Sequence, residues 1–382
     1  MTRFSRVPDL PADSALAGVL HQPLLLGLFL PVHNGGWSIS TLPRGTDWTF
    51  AYNARLTRRA EALGFDLAFG PAHWLPKGGF GGTTRYRETS LDTFVAMSGL
   101  AAVTERILLV STIHVLYGPW HPLHLAKGGA TIDHIAGGRW GINVVAGFRP
   151  AERAMFGQDA LDHDARYARA AELLELLLRL WSEDGNLTVE GPHWRLKDAF
   201  VTPKPVNGRP ILVNATGSPA GIAYAARFSD LVFITSSAGV VLEDALEVLP
   251  AHNAAIKGAA AEIGRSVRTI VNPLVICRDT EKEAWDLYDA IRDAADDGAA
   301  DGFFRSHAEG DSQSWKVHQR DRKVVGGNIQ IVGTPEQVVD QLARLKAAGC
   351  DGVQICFFDY EPELEYFGAR VLPLLHQAGL RV

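Results

Sequence analysis

Short apolar runs rich in β-branched residues alternate along this chain with longer stretches in which apolar residues recur every three or four positions. The short runs are typical of buried strands and the longer stretches of amphipathic helices. Eight strands are predicted, with helices between them. The predicted strands are Leu24–His33, Phe65–Gly70, Ile107–Leu116, Arg139–Ala146, Pro210–Thr216, Asp230–Thr235, Thr269–Cys277 and Asp351–Phe358. The predicted helices are Tyr52–Leu63, Leu91–Thr104, Leu123–Ile135, Asp164–Trp181, Pro219–Phe228, Val241–Ile263, Glu281–Ala295, Pro335–Ala348 and Leu364–Gln377.

This alternation predicts an α/β protein, and it favours a (β/α)8 TIM barrel over a doubly wound open sheet. An open sheet of this kind usually carries a glycine-rich dinucleotide turn after its first strand. Here the first strand runs into Pro31-Val32-His33-Asn34, and the pattern GxGxxG does not occur in the sequence. A Rossmann-type dehydrogenase is therefore disfavoured.

The spacing of the elements predicts one barrel domain over residues 23–382, preceded by an extended N-terminal arm over residues 1–22. Two long segments interrupt the alternation and are predicted to be insertions, at residues 182–207 and 298–328. The second follows strand seven and is rich in basic residues, so we expect a lid over the barrel mouth. A solvated polar loop is the alternative. The basic residues of this segment are Arg305, His307, Lys316, His318, Arg320, Arg322 and Lys323.

Composition narrows the range of functions. The 382 residues are 47% hydrophobic, which is typical of a folded globular protein, and 37 basic against 43 acidic residues give a net charge of -6. That sign disfavours a nucleic-acid partner. Three scattered cysteines do not form a disulfide framework, which favours a reducing cytoplasm. The run Leu24–Val32 is too short to span a membrane, and no signal peptide or anchor is predicted.

The residues that follow the predicted strands indicate the chemistry, because TIM-barrel active sites lie at the carboxyl ends of the strands. These positions are aromatic and amide-bearing but poor in carboxylates. Glycosidases need two opposed carboxyl groups, and metal-dependent hydrolases need clustered His and acidic ligands, so both are disfavoured. Such a mouth suits a flat, neutral ring system. The residues are Asn34, Trp37, His73, Trp74, Thr112, His114, Tyr117, Trp120, Asn143 and Phe148.

An anion site is predicted after strand five, where Thr216, Gly217 and Ser218 precede the helix that begins at Pro219. Unpaired N–H groups and the positive end of the helix dipole favour an anion at a helix N-terminus. Late loops of a barrel are also the usual phosphate site. The alternative is that Ser218 only caps its own helix.

Four motifs in a fixed order resemble those of the bacterial luciferase-like flavin-dependent monooxygenases, over nearly the whole chain. Within that family, Gly118–Pro122 and the tail from Tyr366 resemble the dimethyl sulfone monooxygenases, whereas Phe80-Gly81-Gly82 is similar to the pyrimidine monooxygenases. The motifs are TIDHIAGGR at 131–139, INVVAGF at 142–148, HDARY at 163–167 and GTPEQ at 333–337.

The resemblance implies a barrel enzyme that uses FMN as FMNH2, supplied by a separate NAD(P)H:flavin reductase, and that oxygenates a small substrate with O2. It also implies a homodimer or homotetramer. The family's phosphate contacts would fall on Tyr167, Gly217 and Ser218. Its ring contacts would fall on Thr112, Asn143, Val145 and Ala146. Tyr167 could instead serve only in packing.

Candidate catalytic residues are His114, Asn143 and Trp37. His114 could carry a proton near neutral pH, or it could be a core histidine bonded to a backbone carbonyl; His33 and His163 are weaker candidates. Residues predicted to shape the pocket or close over an anionic substrate are Tyr117, Trp120, Phe148, Arg305 and Arg320.

Three alternatives accompany the main prediction of a monooxygenase for an organosulfur compound, either a sulfone or a sulfonate. One is a pyrimidine or heterocyclic amide monooxygenase of the same family. The second is a non-catalytic flavin-binding barrel, whose mouth would be plugged by Trp37 and Trp120. The third, a deazaflavin-dependent oxidoreductase, would need an added basic pocket near strand five, where no basic cluster is evident.

Overall fold

The computed structural model describes residues 7–115, 120–147, 149–308, 320–327 and 329–382. The strands in these ranges are β1 (Leu25–Phe29), β2 (Leu67–Gly70), β3 (Leu108–His114), β4 (Trp140–Val145), β5 (Leu187–Glu190), β6 (Arg195–Ala199), β7 (Ile211–Ala215), β8 (Leu231–Ile234), β9 (Arg268–Val271), β10 (Pro273–Cys277), β11 (Ile329–Gly333) and β12 (Gly352–Ile355).

The helices in the same ranges lie mainly between the strands, where they were predicted. They are α1 (Ala15–Val19), α2 (Phe50–Ala62), α3 (Thr93–Ala101), α4 (Pro122–Ile135), α5 (Pro150–Met155), α6 (His163–Ser182), α7 (Pro219–Phe228), α8 (Leu242–Glu262), α9 (Glu281–Asp293), α10 (Asp297–Ala308), α11 (Arg320–Val325), α12 (Pro335–Ala347), α13 (Tyr360–Tyr366) and α14 (Leu372–Gln377).

Eight parallel strands of the described chain close into a barrel in the order β1, β12, β9, β8, β7, β4, β3, β2. The ring closes because β1 pairs with β12 on one side and with β2 on the other, with Gly27 opposite both Gln354 and Leu67. Apolar side chains from strands and surrounding helices form one continuous core. The predicted (β/α)8 TIM barrel is confirmed.

Strand seven differs from the prediction. The predicted strand Thr269–Cys277 is divided into β9, which belongs to the barrel, and β10, which pairs with β11 in a separate parallel sheet. Pro273 stands at the division and has no N–H to donate to a strand ladder. The strand β11 was not predicted, although Ile329, Ile331 and Val332 have a short apolar pattern.

The two predicted insertions contain regular structure. Residues 182–207 hold the antiparallel pair β5–β6. Residues 298–328 hold most of α10 and all of α11 in their described part. Phe303 of α10 and Val324 of α11 pack with Phe80 and Tyr86 in a second, smaller core. This second core joins the insertion to the segments that follow β1 and β2, at the mouth of the barrel.

Both ends of the chain pack on the barrel. In the predicted extended arm, Ser14 caps the short helix α1, and Val7 and Leu16 are buried. The predicted C-terminal helix Leu364–Gln377 is instead α13, a π-helical turn over Phe367–Val371, and α14. Pro373 lacks the N–H that a regular helix would use there, and the Leu372 N–H donates to the carbonyl of Phe367, five residues earlier.

No helix in the described ranges combines the length and the apolar character that crossing a bilayer would require.

Candidate active site

A cavity of about 310 Å³ lies at the carboxyl ends of the barrel strands. This volume is within the usual range for a small-molecule site. Residues that follow β1, β2, β4, β7, β8 and β9 line it, together with α10 and α11 of the second insertion. The position agrees with the strand-end location expected for a barrel enzyme. Two polar clusters and an apolar wall make up its surface.

The first polar cluster, which we call the α7 pole, follows β7 and consists of Thr216, Gly217 and Ser218. Ser218 is the N-cap of α7, and its hydroxyl accepts a hydrogen bond from the Gly221 N–H at 3.1 Å. The capping role that the sequence left open for Ser218 is therefore present. The Thr216 hydroxyl is buried and has no hydrogen-bond partner among the described residues. Buried hydroxyls are nearly always paired, so this atom fits a ligand.

The Thr216 and Tyr167 hydroxyls both pack closely against Gly221. A methyl group at Gly221 would lie 1.7 Å from Thr216 Oγ1 and 2.6 Å from the Tyr167 hydroxyl oxygen. Tyr167 comes from the first turns of α6 and lines the cavity. The structure thus brings the predicted residues Tyr167, Gly217 and Ser218 together. Thr216 belongs to the segment where an anion site was predicted, but it was not among the predicted phosphate contacts.

Arg166 adds a positive charge to the cavity surface. Its side chain is buried, lines the cavity, and donates to the carbonyl of Gly147 through Nη1 at 2.5 Å. His163, three residues earlier, lines the cavity as well. Arg166 was not predicted as a site residue, although it lies inside the HDARY motif.

The apolar wall contains the predicted residues Val145 and Ala146 at the end of β4, with Phe29 and Phe233 from other strands. Trp37 also lines the cavity. Its ring lies 3.7 Å from that of Phe29, centroid to centroid, and its indole N–H donates to the carbonyl of Phe29 at 3.2 Å. These contacts fix the Trp37 ring as part of the wall.

Asn143 and Thr112 lie inside the barrel below the apolar wall, because Asn143 comes two residues before Val145 on β4 and Thr112 pairs with it on β3. They are partners in the β3–β4 register, and the Asn143 amide nitrogen donates to the Thr112 hydroxyl at 3.1 Å. Neither residue lines the cavity. Asn143 shares a strand face with Val145, which does. The Asn143 amide oxygen is buried and unpartnered within the described chain.

His114 is not among the lining residues. Its Nδ1 lies 3.3 Å from Oε2 of Glu152, a fully buried carboxylate on α5. The other oxygen of Glu152 accepts a hydrogen bond from Arg149 at 2.6 Å. The predicted proton carrier thus belongs to a buried network behind the wall, and Glu152 and Arg149 are members that the sequence analysis missed.

The second polar cluster, which we call the Arg87 pole, contains Arg87, Arg149, Lys323, His73 and His307, all of which line the cavity. Nη1 of Arg87 lies 3.4 Å from Nε2 of His73, and Nη1 of Arg149 lies 3.3 Å from Nδ1 of the same ring. Nη2 of Arg149 lies 3.5 Å from Nε2 of His307. The three elements that carry these residues therefore meet in one place.

Burial controls the ionisation of this pole. It lowers the pKa of His73 and of His307 well below the usual value, and the neighbouring arginines lower both further. Burial also lowers the pKa of Lys323 to about 7, again with help from Arg87. Desolvation disfavours every added cation here. Burial and the arginines therefore favour the neutral form of both imidazoles.

The other predicted pocket residues lie elsewhere. The Trp120 ring packs against Phe94 at 5.0 Å and does not line the cavity. Arg320 donates to Asp297 at 3.0 Å and to Asp301 at 2.8 Å, and Arg305 is exposed, so neither arginine lines it either. Tyr117 and Phe148 lie outside the described residues.

The second insertion does contribute to the cavity, but through other residues than the two arginines. Phe303, His307 and Lys323 all line it. His307 and Lys323 are among the basic residues noted in the sequence. These residues lie on the buried sides of α10 and α11 and therefore face inward, which the sequence pattern did not show.

The fold and site define a TIM barrel whose strand-end cavity has a helix N-terminus on one side and an apolar wall. The family model described as luciferase-like monooxygenase matches residues 25–352, and the chain belongs to this family. The resemblance inferred from the four motifs is confirmed, and with it the class of enzyme, a monooxygenase.

Two relatives and one solved structure illustrate the similarity. An FMNH(2)-dependent dimethylsulfone monooxygenase of Pseudomonas fluorescens is 33% identical over 93% of this chain and 95% of its own. The pyrimidine monooxygenase RutA of a Bradyrhizobium species is 33% identical over 94% of this chain and 98% of its own. A crystal structure of DmoA from Hyphomicrobium sulfonivorans covers 94% of this chain and 89% of its own at 20% identity, with a TM-score of 0.78, and supports the fold alone.

Proposed function

We propose that this chain is an FMNH2-dependent monooxygenase that uses O2 to oxygenate a small organosulfur compound, a sulfone or a sulfonate. A separate NAD(P)H:flavin reductase supplies the reduced flavin. The observation that carries the proposal is the meeting of Thr216, Tyr167 and Ser218 at the N-terminus of α7, open to a cavity with an apolar wall. The FMNH2 dependence named for the dimethylsulfone relative supports it.

The α7 pole fits the phosphate of FMN. The backbone N–H groups of Gly217 and Ser218, the open Thr216 hydroxyl and the Tyr167 hydroxyl supply donors, and the helix dipole adds positive potential. Arg166 strengthens that potential from the neighbouring helix. A dianionic phosphate requires this number of donors, because each of its oxygens accepts several hydrogen bonds.

The wall fits the isoalloxazine ring. Val145 and Ala146 offer an apolar surface, and Asn272 lines the same cavity; its amide oxygen is buried and has no hydrogen-bond partner among the described residues. An open acceptor beside an apolar face suits a flat ring whose polar edge carries an N–H group between two carbonyls.

Reduced FMN supplies the chemistry that activates O2 when it is bound. The protein supplies binding, orientation and dryness. Phe29, Trp37 and Phe233 keep water from the wall. His73 and His307 line the cavity, and burial favours their neutral form, in which one ring nitrogen carries a proton and the other can accept one. In this proposal His114 positions Arg149 through Glu152 and does not itself touch the substrate.

A pyrimidine or heterocyclic amide substrate is the second candidate. The RutA relative is as similar to this chain as the dimethylsulfone relative, and Phe80, part of the motif that resembles the pyrimidine branch, lies in the second core beside the cavity. A non-catalytic flavin-binding barrel is supported less well, because Trp37 lines an open cavity and Trp120 packs away from it.

The proposal also includes a homodimer or homotetramer in the cytoplasm, as the resemblance implies. Light scattering of the purified chain with and without FMN measures the first of these directly.

Product analysis with labelled oxygen tests the function. The chain, FMN, a flavin reductase and NADH are mixed with dimethyl sulfone, methanesulfonate or uracil under labelled O2. We expect the label in an organic product of one sulfur compound, and only when the reductase is present. Label in the uracil product alone would replace the organosulfur assignment with the second candidate. Flavin binding without a labelled product from any substrate would contradict the monooxygenase assignment for all three.

A further inference from the structure

The geometry points to a second anion site in the cavity, at the Arg87 pole. We propose that Arg87 and Lys323 hold an oxyanion of the substrate, a sulfonate or a carboxylate, so that the natural substrate is an anion and not a neutral sulfone or pyrimidine. The inference rests on the proposed function, because the α7 pole must be taken by the flavin phosphate for the Arg87 pole to face the substrate.

The two poles lie on opposite sides of the barrel. In the closed ring, three strands lie between β1 and β7 in either direction, so β1 and β7 face each other across the axis. The α7 pole follows β7. Trp37, against which Arg87 packs, follows β1, and His73 follows the adjacent β2. One phosphate therefore does not account for both poles, and the Arg87 pole needs its own anion.

The cavity surface is cationic without a lining carboxylate. Arg87, Arg149, Arg166 and Lys323 line it, and no Asp or Glu does so in the part of the chain described. Glu152 pairs with Arg149 from behind the wall, at 2.6 Å. A buried charge is costly unless an opposite charge or strong hydrogen bonds offset it. A bound anion supplies both.

Arg87 is the residue that most needs this anion. It is buried, its guanidinium packs 4.6 Å above the Trp37 ring and 4.9 Å from the Tyr86 ring, and its Nε has no hydrogen-bond partner among the described residues. Its polar side-chain neighbours there include the His73 ring and the Tyr86 hydroxyl. The aromatic contacts orient the guanidinium and leave its N–H groups for a ligand.

The backbone at Arg87 is also held in a costly conformation. Its φ is +61°, in the left-handed region that residues other than glycine rarely adopt. The contact that keeps it there is the hydrogen bond from the Arg87 N–H to the carbonyl of Asn34 at 3.3 Å. Strained backbone of this kind concentrates at ligand sites, where the strain directs a side chain.

Lys323 reaches the same pole from α11. It lines the cavity, and its ammonium donates to the carbonyl of Gly327 at 2.6 Å, which directs the side chain. An arginine fork and an ammonium group together match the three oxygens of a sulfonate or the two of a carboxylate. A sulfone or an amide offers similar oxygens but no charge, so it gives the Arg87 guanidinium hydrogen bonds without an opposite charge.

Matched ligand pairs test the inference by binding to the FMN-loaded protein, measured by calorimetry and by the change in flavin absorbance. Methanesulfonate and dimethyl sulfone have nearly the same shape and differ in charge, as do propanoate and propanamide. We expect the anion of at least one pair to bind at least about tenfold more tightly than its neutral partner, which corresponds to about 1.4 kcal/mol. The pair that shows the larger ratio identifies the oxyanion as a sulfonate or a carboxylate.

Arg87→Gln should abolish the preference for the anion and leave FMN affinity within about twofold, because the flavin phosphate lies at the other pole. Arg85→Gln is the matched control. Arg85 lies two residues away, also has a positive φ of +45°, and has a side chain that is 64% exposed beside Glu88. The Arg85→Gln variant should bind both members of each ligand pair as the parent does.

Lys323→Met provides a second variant and a stability readout. Removing a buried cation that has a ligand-binding role should raise the melting temperature while the anion preference falls, whereas removing a structural contact would lower it. Equal affinities for anion and neutral partner in the FMN-loaded parent, or a preference unchanged in both variants, would overturn the inference with the proposed function intact. Failure of the parent to bind FMN would instead count against the proposed function.

Discussion

Gly221 is a helical glycine whose missing side chain makes room for two hydroxyl groups. In most helix interiors a change of glycine to alanine stabilises by about 1 kcal/mol. At Gly221 the new methyl group would overlap Thr216 Oγ1 and crowd the Tyr167 hydroxyl. Gly221→Ala should therefore displace both donors and weaken FMN binding by about tenfold or more, as measured by fluorescence titration.

Gly258→Ala is the control for this change. Gly258 also lies inside a helix, α8, and nothing stands within 4 Å of the position its methyl group would take. This variant should unfold at a higher temperature and bind FMN as the parent does. Equal FMN affinity in the two glycine variants would mean that the Thr216 and Tyr167 hydroxyls do not hold the cofactor.

Lys323 gives the binding of anions a dependence on pH. Burial lowers its pKa to about 7; Arg87 lowers that pKa further, and Cys356 raises it. The ammonium form binds the anion. As pH rises through 7 the unliganded protein loses that proton, so methanesulfonate affinity should fall by up to about tenfold per pH unit.

Calorimetry from about pH 6 to about pH 9 checks this dependence, with Lys323→Met as the reference. The variant should show a flatter profile, because Arg87 keeps its charge throughout. The same pKa shift predicts that the parent gains stability from pH 7 upward relative to the variant, since the unfolded chain binds a proton that the folded chain has lost. Parallel profiles for the two proteins would contradict the assignment of the titration to Lys323.

The last residues of the chain are tied to the first strands by one buried ion pair. Arg381 donates to both oxygens of Asp66, at 2.5 Å and 3.1 Å, and Asp66 also accepts the N–H of Leu26 in β1 at 2.7 Å. Burial raises the pKa of Asp66, so the arginine is what keeps this carboxylate charged. Arg381→Met should lower the free energy of unfolding by about 3–5 kcal/mol, because it leaves an uncompensated buried charge.

Arg370→Met is the matched control, since Arg370 pairs with Asp279 at 2.8 Å on the surface, where both side chains are half exposed. Such pairs contribute less than about 1 kcal/mol. Urea unfolding distinguishes the two variants. Similar losses in both would mean that Asp66 does not depend on Arg381.

Strands and helices were predictable where one physical signal dominated. The alternation of short apolar runs with amphipathic stretches gave all eight barrel strands, and capping residues placed helix ends, as at Thr334, where a complete capping box precedes α12. The prediction was wrong where two signals competed. The run Thr269–Cys277 is continuously apolar, but Pro273 divides it, and the second half leaves the barrel.

The candidate site also contains residues that were predictable from the sequence and residues that were not. Tyr167, Gly217, Ser218, Val145 and Ala146 lie on or next to regular elements, and the sequence placed them by strand ends and family motifs. The Arg87 pole is built from loops and from an insertion. Such a segment contains several basic residues, and long-range packing in the second core decides which of them face inward. No local sequence pattern encodes that packing. For this reason the sequence predicts Arg305 and Arg320, and not Lys323, as substrate contacts.

Charge is distributed unevenly over the molecule. The whole chain carries a net charge of -6, yet its cavity is lined by four cationic side chains and no carboxylate in the described part. A low-dielectric pocket with charges of one sign concentrates ligands of the other sign. We therefore propose two anion sites in the barrel, one for the cofactor and one for the substrate.

Anaerobic titration with FMNH2 tests the central claim that the cavity holds reduced flavin by its phosphate at the α7 pole. We predict saturable binding with a dissociation constant in the micromolar range or tighter, weakened by Tyr167→Phe and by Thr216→Val, and lost in part when riboflavin, which lacks the phosphate, replaces FMN. Failure of both FMNH2 and FMN to bind at high micromolar concentration, or equal affinity for FMN and riboflavin, would contradict it.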